Sequence, residues 1–210
     1  MMHEFLVFHT CHLQGSARDI FNNSPYKSDS RLEQWLGQGY YFWTDSDYFA
    51  KCWGEKADKY PKGYAITSYI LKISDELILD LVGNTRHQLK FKDQIIEYAY
   101  RMGIELKDEQ KALNIPISKV LDHLRGEAQR DSKLFKYSVI KVADKPKMSI
   151  NSPFLEGHNE KLIIPTRQQI YIDDLSFITY KELFSLRRRE RNGKYANVQM
   201  QEKLVLDTRY

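Results

Sequence analysis

LGQGYYFWTDSDYFAKCWG, from Leu36 to Gly54, joins a glycine-flanked aromatic strand directly to an amphipathic helix. Gly37 and Gly39 are the residue type used where a chain turns tightly or lets a ligand lie against bare backbone. Tyr40, Tyr41, Phe42 and Trp43 form a short apolar aromatic run of strand character, and strand alternation sends Tyr41 and Trp43 to one face. Thr44 followed by Asp47 reads as a capping pair. Phe49, Cys52, Trp53, Ala57 and Tyr60 then recur at helical spacing.

Outward from this segment, strands are expected at about residues 4–10, Tyr64 to Ile73, Glu76 to Leu81, Tyr137 to Val142, Lys161 to Ile164 and Gln169 to Ile172. Helices are expected at Lys92 to Met102, with Ile95, Ile96, Ala99 and Tyr100 on one face, and at Ile117 to Gln129, with Val120, Leu121 and Leu124. A further helix is expected from Lys181 to about Glu190, and a polar loop with short helical pieces from Ser16 to Trp35. Strands at both ends around a helical middle do not make the regular alternation of a doubly wound sheet, so the class read is α+β. No glycine-rich dinucleotide fingerprint and no phosphate-binding loop ending in Gly-Lys-Ser/Thr occurs, which removes dehydrogenase, kinase and NTPase readings.

The 210 residues are 42% apolar, enough for a real core, and no apolar run approaches the roughly 20 residues of a membrane span. A cytoplasmic protein is expected, with no membrane partner. Two cysteines, Cys11 and Cys52, cannot build a disulfide framework or complete a metal site. His12, His87, His123 and His158 lack metal-ligand spacing, so no metal is expected. The net charge of +4 is mildly basic. One dense cluster, Arg187, Arg188, Arg189, Arg191 and Lys194, reads as a solvated helix end or as a surface for an acidic partner.

Three segments resemble the signature of the ADP-ribosyltransferase superfamily, in the branch shared by diphtheria toxin and the poly(ADP-ribose) polymerases. FLVFHTC, Phe5 to Cys11, matches a strand ending in an aromatic residue and a histidine, with Thr10 where relatives have glycine. Gly37, Gly39, Tyr40, Tyr41, Phe42 and Ala50 match the second segment without a gap. QIYIDDLSFI matches the third, with Gln169, Asp174 and Ile178 in its three marked places. Gln169 stands where relatives commonly carry glutamate. Gln168 is the alternative if the register slips by one residue.

The resemblance implies a split, antiparallel-rich β-sheet core at residues 1–186, with a helical insertion at about 90–130 and a basic, polar tail at 187–210. Residues Tyr64 to Ile73 and Glu76 to Leu81 would be its paired central strands. It implies a mono-ADP-ribosyltransferase using NAD as co-substrate, acting on a protein or nucleic-acid acceptor as a microbial toxin or defence effector, with an antitoxin-like inhibitor as a partner. Gln169, Tyr41 and His9 would be catalytic, and His9, Thr10, Gly39, Tyr40, Tyr41 and Tyr48 would contact NAD. His9 would hold the adenosine ribose, the Thr10 backbone the carboxamide, and Tyr41 and Tyr48 the nicotinamide ring. Glutamine keeps the hydrogen bonds of glutamate without its charge, so a slower enzyme, an NAD hydrolase and a non-catalytic NAD or ADP-ribose binding module all stay open. Arg18 and Arg167 are candidates for the pyrophosphate. A nucleic-acid binder using the arginine cluster is a third reading.

Overall fold

The computed structural model describes residues 1–29, 34–104, 114–157, 159–200 and 202–207; His158 lies outside them. The chain is α+β, built on a mixed, mostly antiparallel sheet of nine strands among the described residues. In chain order these are β1 (Met2–His12), β2 (Tyr40–Thr44), β3 (Gly63–Ser74), β4 (Ile78–Asp80) and β5 (Val139–Asp144), a separate hairpin of β6 (Ile150–Pro153) and β7 (Lys161–Ile164), then β8 (Arg167–Ile172), β9 (Ile178–Arg189), β10 (Tyr195–Asn197) and β11 (Val205–Asp207). The spatial order is β10-β9-β3-β1-β2-β8-β5-β4, with β11 also on β9. Four α-helices form among the described residues: α1 (Ala17–Asn23), α2 (Tyr48–Gly54), α3 (Thr85–Arg101) and α4 (Ile117–Ala128).

Strands β1 and β3 pair along eleven consecutive positions, Met2 against Ser74 to His12 against Tyr64. By contrast β1 and β2 share only Val7 with Thr44 and Phe8 with Trp43. The sheet is therefore two well-paired halves joined through a two-residue seam. Beyond Phe8 the strands part.

Each face buries its own clusters. On one face Phe8, Trp43, Tyr60, Tyr64 and Ile66 pack under α2 through Ala50. On the same face of the other half, α3 and α4 set Phe91, Ile95, Ala99, Val120, Leu121 and Leu124 on Ile140, Val142 and Tyr171. The opposite face buries Val7, Phe42, Leu71, Val139, Ile170 and Ile172. The helical faces read from periodicity are the observed ones, apart from Tyr100, which is exposed.

Several expectations are corrected. No helix forms at Lys181 to Glu190; the segment belongs to β9. Its buried residues Leu183 and Leu186 are three apart because Leu183 opposes Thr67 and Ser185 opposes Ile66, leaving Phe184 as the extra residue of a bulge. A bulged strand thus imitated helical spacing. The expected tail from residue 187 contributes the end of β9 together with β10 and β11, so the sheet runs past the boundary drawn at residue 186. Residues 64–73 and 76–81 are not partners: a 3₁₀ turn at Asp75–Leu77 redirects the chain, and β4 pairs in parallel with β5 at the far edge. Thr44 is the last residue of β2, and Asp47 at the start of α2 makes no side-chain cap, pairing instead with Lys51 at 2.5 Å. The helix ends at Gly54, so Ala57 and Tyr60 follow it in turns.

Gly39 is required by contact. A Cβ there would lie 2.3 Å from the Tyr171 ring and 2.6 Å from the Ile172 carbonyl oxygen, whereas one at Gly126 in α4 would meet open space. Gly39→Ala is expected to lower stability by roughly 1–3 kcal/mol through overpacking, while Gly126→Ala raises it by about 0.5–1 kcal/mol through helix propensity. Denaturant midpoints of the two variants check both signs.

Candidate functional site

An open cleft of about 1310 Å³ lies where β1 and β2 part, and its walls include His9, Thr10, Tyr41 and Gln169. Three strands distant in sequence thus deliver their marked residues to one place. Antiparallel register explains how. Trp43 opposes Gln169 and Tyr41 opposes Tyr171 across β2 and β8, and directly opposed residues share a face. Gln169 therefore stands on the cleft face with Tyr41 and Trp43, while Gln168, paired with Ala143, belongs to the other.

Gln169 is 7% exposed, and its Oε1 is buried with no hydrogen-bond partner among the described residues. An unsatisfied buried acceptor costs on the order of 1–3 kcal/mol. A ligand hydroxyl or amide N–H would recover that cost. Tyr41 is fixed at its far end: its hydroxyl donates to the Gly37 carbonyl at 2.8 Å and accepts from the Leu36 N–H at 3.1 Å. Its ring stands edge-on to Tyr171 at 5.4 Å. Burial pushes the Tyr41 hydroxyl up to about 12, so it is neutral at physiological pH.

Thr10 sits at the edge β2 has left. In an antiparallel strand alternate residues turn both peptide groups to the same neighbour. Leu13 N–H donates to Gly63 of β3's start, and Leu6 accepts from Asp45 beyond β2, so odd residues face β3 and even ones the opposite edge. The Thr10 peptide consequently faces the cleft side, where its carbonyl accepts a long 3.4 Å bond from the Tyr60 hydroxyl. The Thr10 hydroxyl donates to the Ala50 carbonyl at 2.9 Å, which ties α2 to β1.

His9 engages both of its ring nitrogens within the chain. Its Nδ1 lies 3.0 Å from the Tyr41 carbonyl oxygen and its Nε2 3.2 Å from the Tyr26 N–H. A carbonyl only accepts and an amide N–H only donates, so the ring is the Nδ1–H tautomer with both nitrogens engaged. Burial is the main cause lowering its pKa to about 4. His9 bridges the parted strands and the loop after α1, and it can grip a ribose only by releasing Tyr26. That loop is also tied down by Ser28, which donates its N–H to the Gly39 carbonyl at 2.8 Å and accepts the Gly39 N–H on its hydroxyl at 3.1 Å.

Not every expected residue comes to the cleft. Tyr40 packs on the opposite face near Val7 and Ile172, Tyr48 is exposed on the first turn of α2, and neither lines the cavity. Alternation places Tyr40 away from Tyr41. Gly39 acts through its backbone on Ser28. Arg18 pairs with Glu202 on the surface. Arg167 does line the cleft, but its guanidinium is forked onto Asp144, with Nε donating to Oδ1 at 2.8 Å and Nη2 donating to Oδ2.

Residues the sequence reading left out of the site include aromatic, basic, acidic and neutral polar side chains. All three tryptophans of the chain, Trp35, Trp43 and Trp53, line the cleft with Tyr26, Lys27, Lys59 and Tyr60. Trp43 was detectable, being on the face of Tyr41; Trp53 and Tyr60 read as helical core. Among the described residues no group of three or more His, Cys, Asp or Glu could hold a metal, and no helix is long and apolar enough to cross a membrane. No family model, no curated protein and no solved structure matches the chain.

The His9 environment has a pH signature. The folded state keeps the ring neutral down to about 4, while the unfolded chain binds a proton near 6.5. Stability is therefore fully present above pH 6.5, is lost as pH falls from 6.5 to 4, and levels off below, a loss of roughly 3 kcal/mol. Denaturant titrations across that range should show the loss in the native chain and a flatter profile in His9→Gln, which cannot titrate.

Proposed function

We propose that the chain is a mono-ADP-ribosyltransferase that moves ADP-ribose from NAD to a macromolecular acceptor. The observation that carries this reading is the convergence of His9, Thr10, Tyr41 and Gln169, from three separated strands, on one cleft with an unpartnered amide oxygen at its wall. The two-residue seam between β1 and β2 supports it as well, since the resemblance implies a split sheet.

In this reading the chain's own groups divide the work. The Tyr41 ring, held by its hydroxyl, offers a flat face for the nicotinamide. The N–H and C=O of Thr10 offer a matched donor and acceptor for the carboxamide. Gln169 Oε1 accepts from a hydroxyl of the nicotinamide ribose and turns its negative dipole end toward the carbon that becomes cation-like as the bond to nicotinamide breaks. Lys27 and Lys59 on the cleft wall offset the pyrophosphate charge. The acceptor's nucleophilic atom bonds to that carbon, nicotinamide leaves with the electron pair of the broken bond, and the acceptor's proton is released to solvent. Tight positioning supplies much of the rate when no full negative charge is available.

A second reading is a module that holds NAD or ADP-ribose without reacting. It is favoured by the amide at residue 169 and by the engagement of both His9 nitrogens. Incubation of the chain with adenine-labelled NAD and a cell extract, following free nicotinamide and the label on macromolecules, separates the readings. Transfer is expected; nicotinamide without label means hydrolysis, and calorimetric binding without release favours the module. Tyr41→Ala and Gln169→Ala are each expected to lower release by about 10²-fold or more with the fold intact, and Gln169→Glu to raise it by adding the charge. Full activity in both alanine variants would overturn the assignment.

A further inference from the structure

The chain's positive charge is concentrated in two segments that the fold joins. Residues 55–62 and 187–194 together contain eight cations and three carboxylates, a net +5, so with +4 for the whole chain the remaining residues sum to −1. They meet through β3 and β9: Arg188 opposes Gly63, Arg187 opposes Tyr64, and the Arg189 N–H donates to the Lys62 carbonyl at 3.2 Å. The Tyr64 and Tyr195 rings, 5.4 Å apart, lie at the junction on the face of Arg187 and Arg189.

None of the eight cations forms an ion pair with a described residue, although nine other Lys or Arg ion pairs do form among the described residues. The Nε atoms of Arg187 and Arg189 are buried and without hydrogen-bond partners among the described residues. Strand alternation puts Arg187 and Arg189 on one face of the β9–β10 hairpin and Arg188 on the other, so both faces carry charge toward the tip, where Arg191 and Lys194 are exposed. The other end of the ridge enters the cleft. The Lys56 and Lys59 ammonium groups lie 3.8 and 4.4 Å from the centre of the Trp53 ring, and Lys59 and Trp53 both line the cavity.

A set of guanidinium and ammonium groups without ion-pair partners among the described residues, leading to a tryptophan-lined cleft, has the two components of a single-strand binder: cations for the phosphates and flat rings for the bases. Guanidinium also matches phosphate geometry in a bidentate way. We propose that this ridge binds the sugar-phosphate backbone of a single-stranded nucleic acid and leads one of its nucleotides to the cleft, which makes nucleic acid the acceptor class. The binding half stands on the ridge alone; the acceptor half rests on the transferase reading. A single strand fits better than a duplex because its bases are already free to enter a cavity.

The test is fluorescence anisotropy of labelled, mixed-sequence single-stranded RNA and DNA with the whole chain, at salt from about 50 to 200 mM, with polyglutamate as competitor. Binding is expected to weaken steeply with salt, by about 0.7 log units per log unit for each phosphate neutralised. The exposed triple variant Arg188→Glu, Arg191→Glu and Lys194→Glu should bind at least tenfold more weakly, with the slope reduced by about 2, while nicotinamide release to water stays unchanged. Preference for RNA or DNA names the acceptor type. Absence of binding, equal competition by polyglutamate, or a variant that binds like the native chain overturns the inference. Ultraviolet crosslinking of the native chain gives a check independent of the variant: crosslinks within residues 53–62 or 187–195 support the ridge, and crosslinks confined elsewhere refute it. Nucleic-acid binding without nicotinamide release would leave the ridge standing and remove the transferase reading, and release without binding would do the reverse.

Discussion

The parting of β1 from β2 is the constraint on which the rest of the molecule depends. Two residue pairs join the strands, and beyond Phe8 and Trp43 each strand has an edge that the other no longer satisfies. Backbone polar groups left without partners away from water are costly. His9 answers that cost by giving its Nδ1–H to the Tyr41 carbonyl and taking the Tyr26 N–H on Nε2. The same imidazole thus bridges the gap and anchors the loop that walls it. The cavity lies beside this bridge, with His9 in its wall.

The helices complete the cleft by what they leave uncovered. Helix α2 reaches β1 closely because Ala50 is small and its carbonyl takes the Thr10 hydroxyl, while α3 and α4 cover the other half of the same face. Between the two coverings, Tyr41, Trp43 and Gln169 remain as cavity wall. The opposite face has its own continuous cluster from Val7 to Ile172. The buried Lys181 ammonium, lowered by desolvation to about 8, donates to the Ser24 carbonyl and fixes the start of the loop.

Much of this was legible in the amino-acid order where local spacing is enough. Alternation in Tyr40 to Trp43 assigned Tyr41 and Trp43 to one face, and the periodicity of Val120, Leu121 and Leu124 assigned the buried side of α4. The choice of Gln169 over Gln168 came from the resemblance, and the cross-strand register sets Gln169 opposite Trp43. Where the reading failed, a non-local pairing had altered the local period. The bulge at Phe184 made a strand look helical, and the 3₁₀ turn after β3 carried β4 to the opposite edge of the sheet.

By itself, then, the sequence determined the α+β class and the faces of the central aromatic strand and the two long helices, because each of these depends on side-chain periodicity and element order along the chain; that residues of the three signature segments meet was an expectation from the resemblance. Only the tertiary structure decided that His9 is a bridge with both nitrogens engaged, that Tyr40 and Tyr48 lie outside the cleft, that Trp35, Trp53 and Lys59 lie within it, and that residues 55–62 and 187–194 form one basic ridge. Those outcomes depend on which strand edges meet and where they part. Such contacts join residues tens to more than a hundred positions apart, and no local period encodes them.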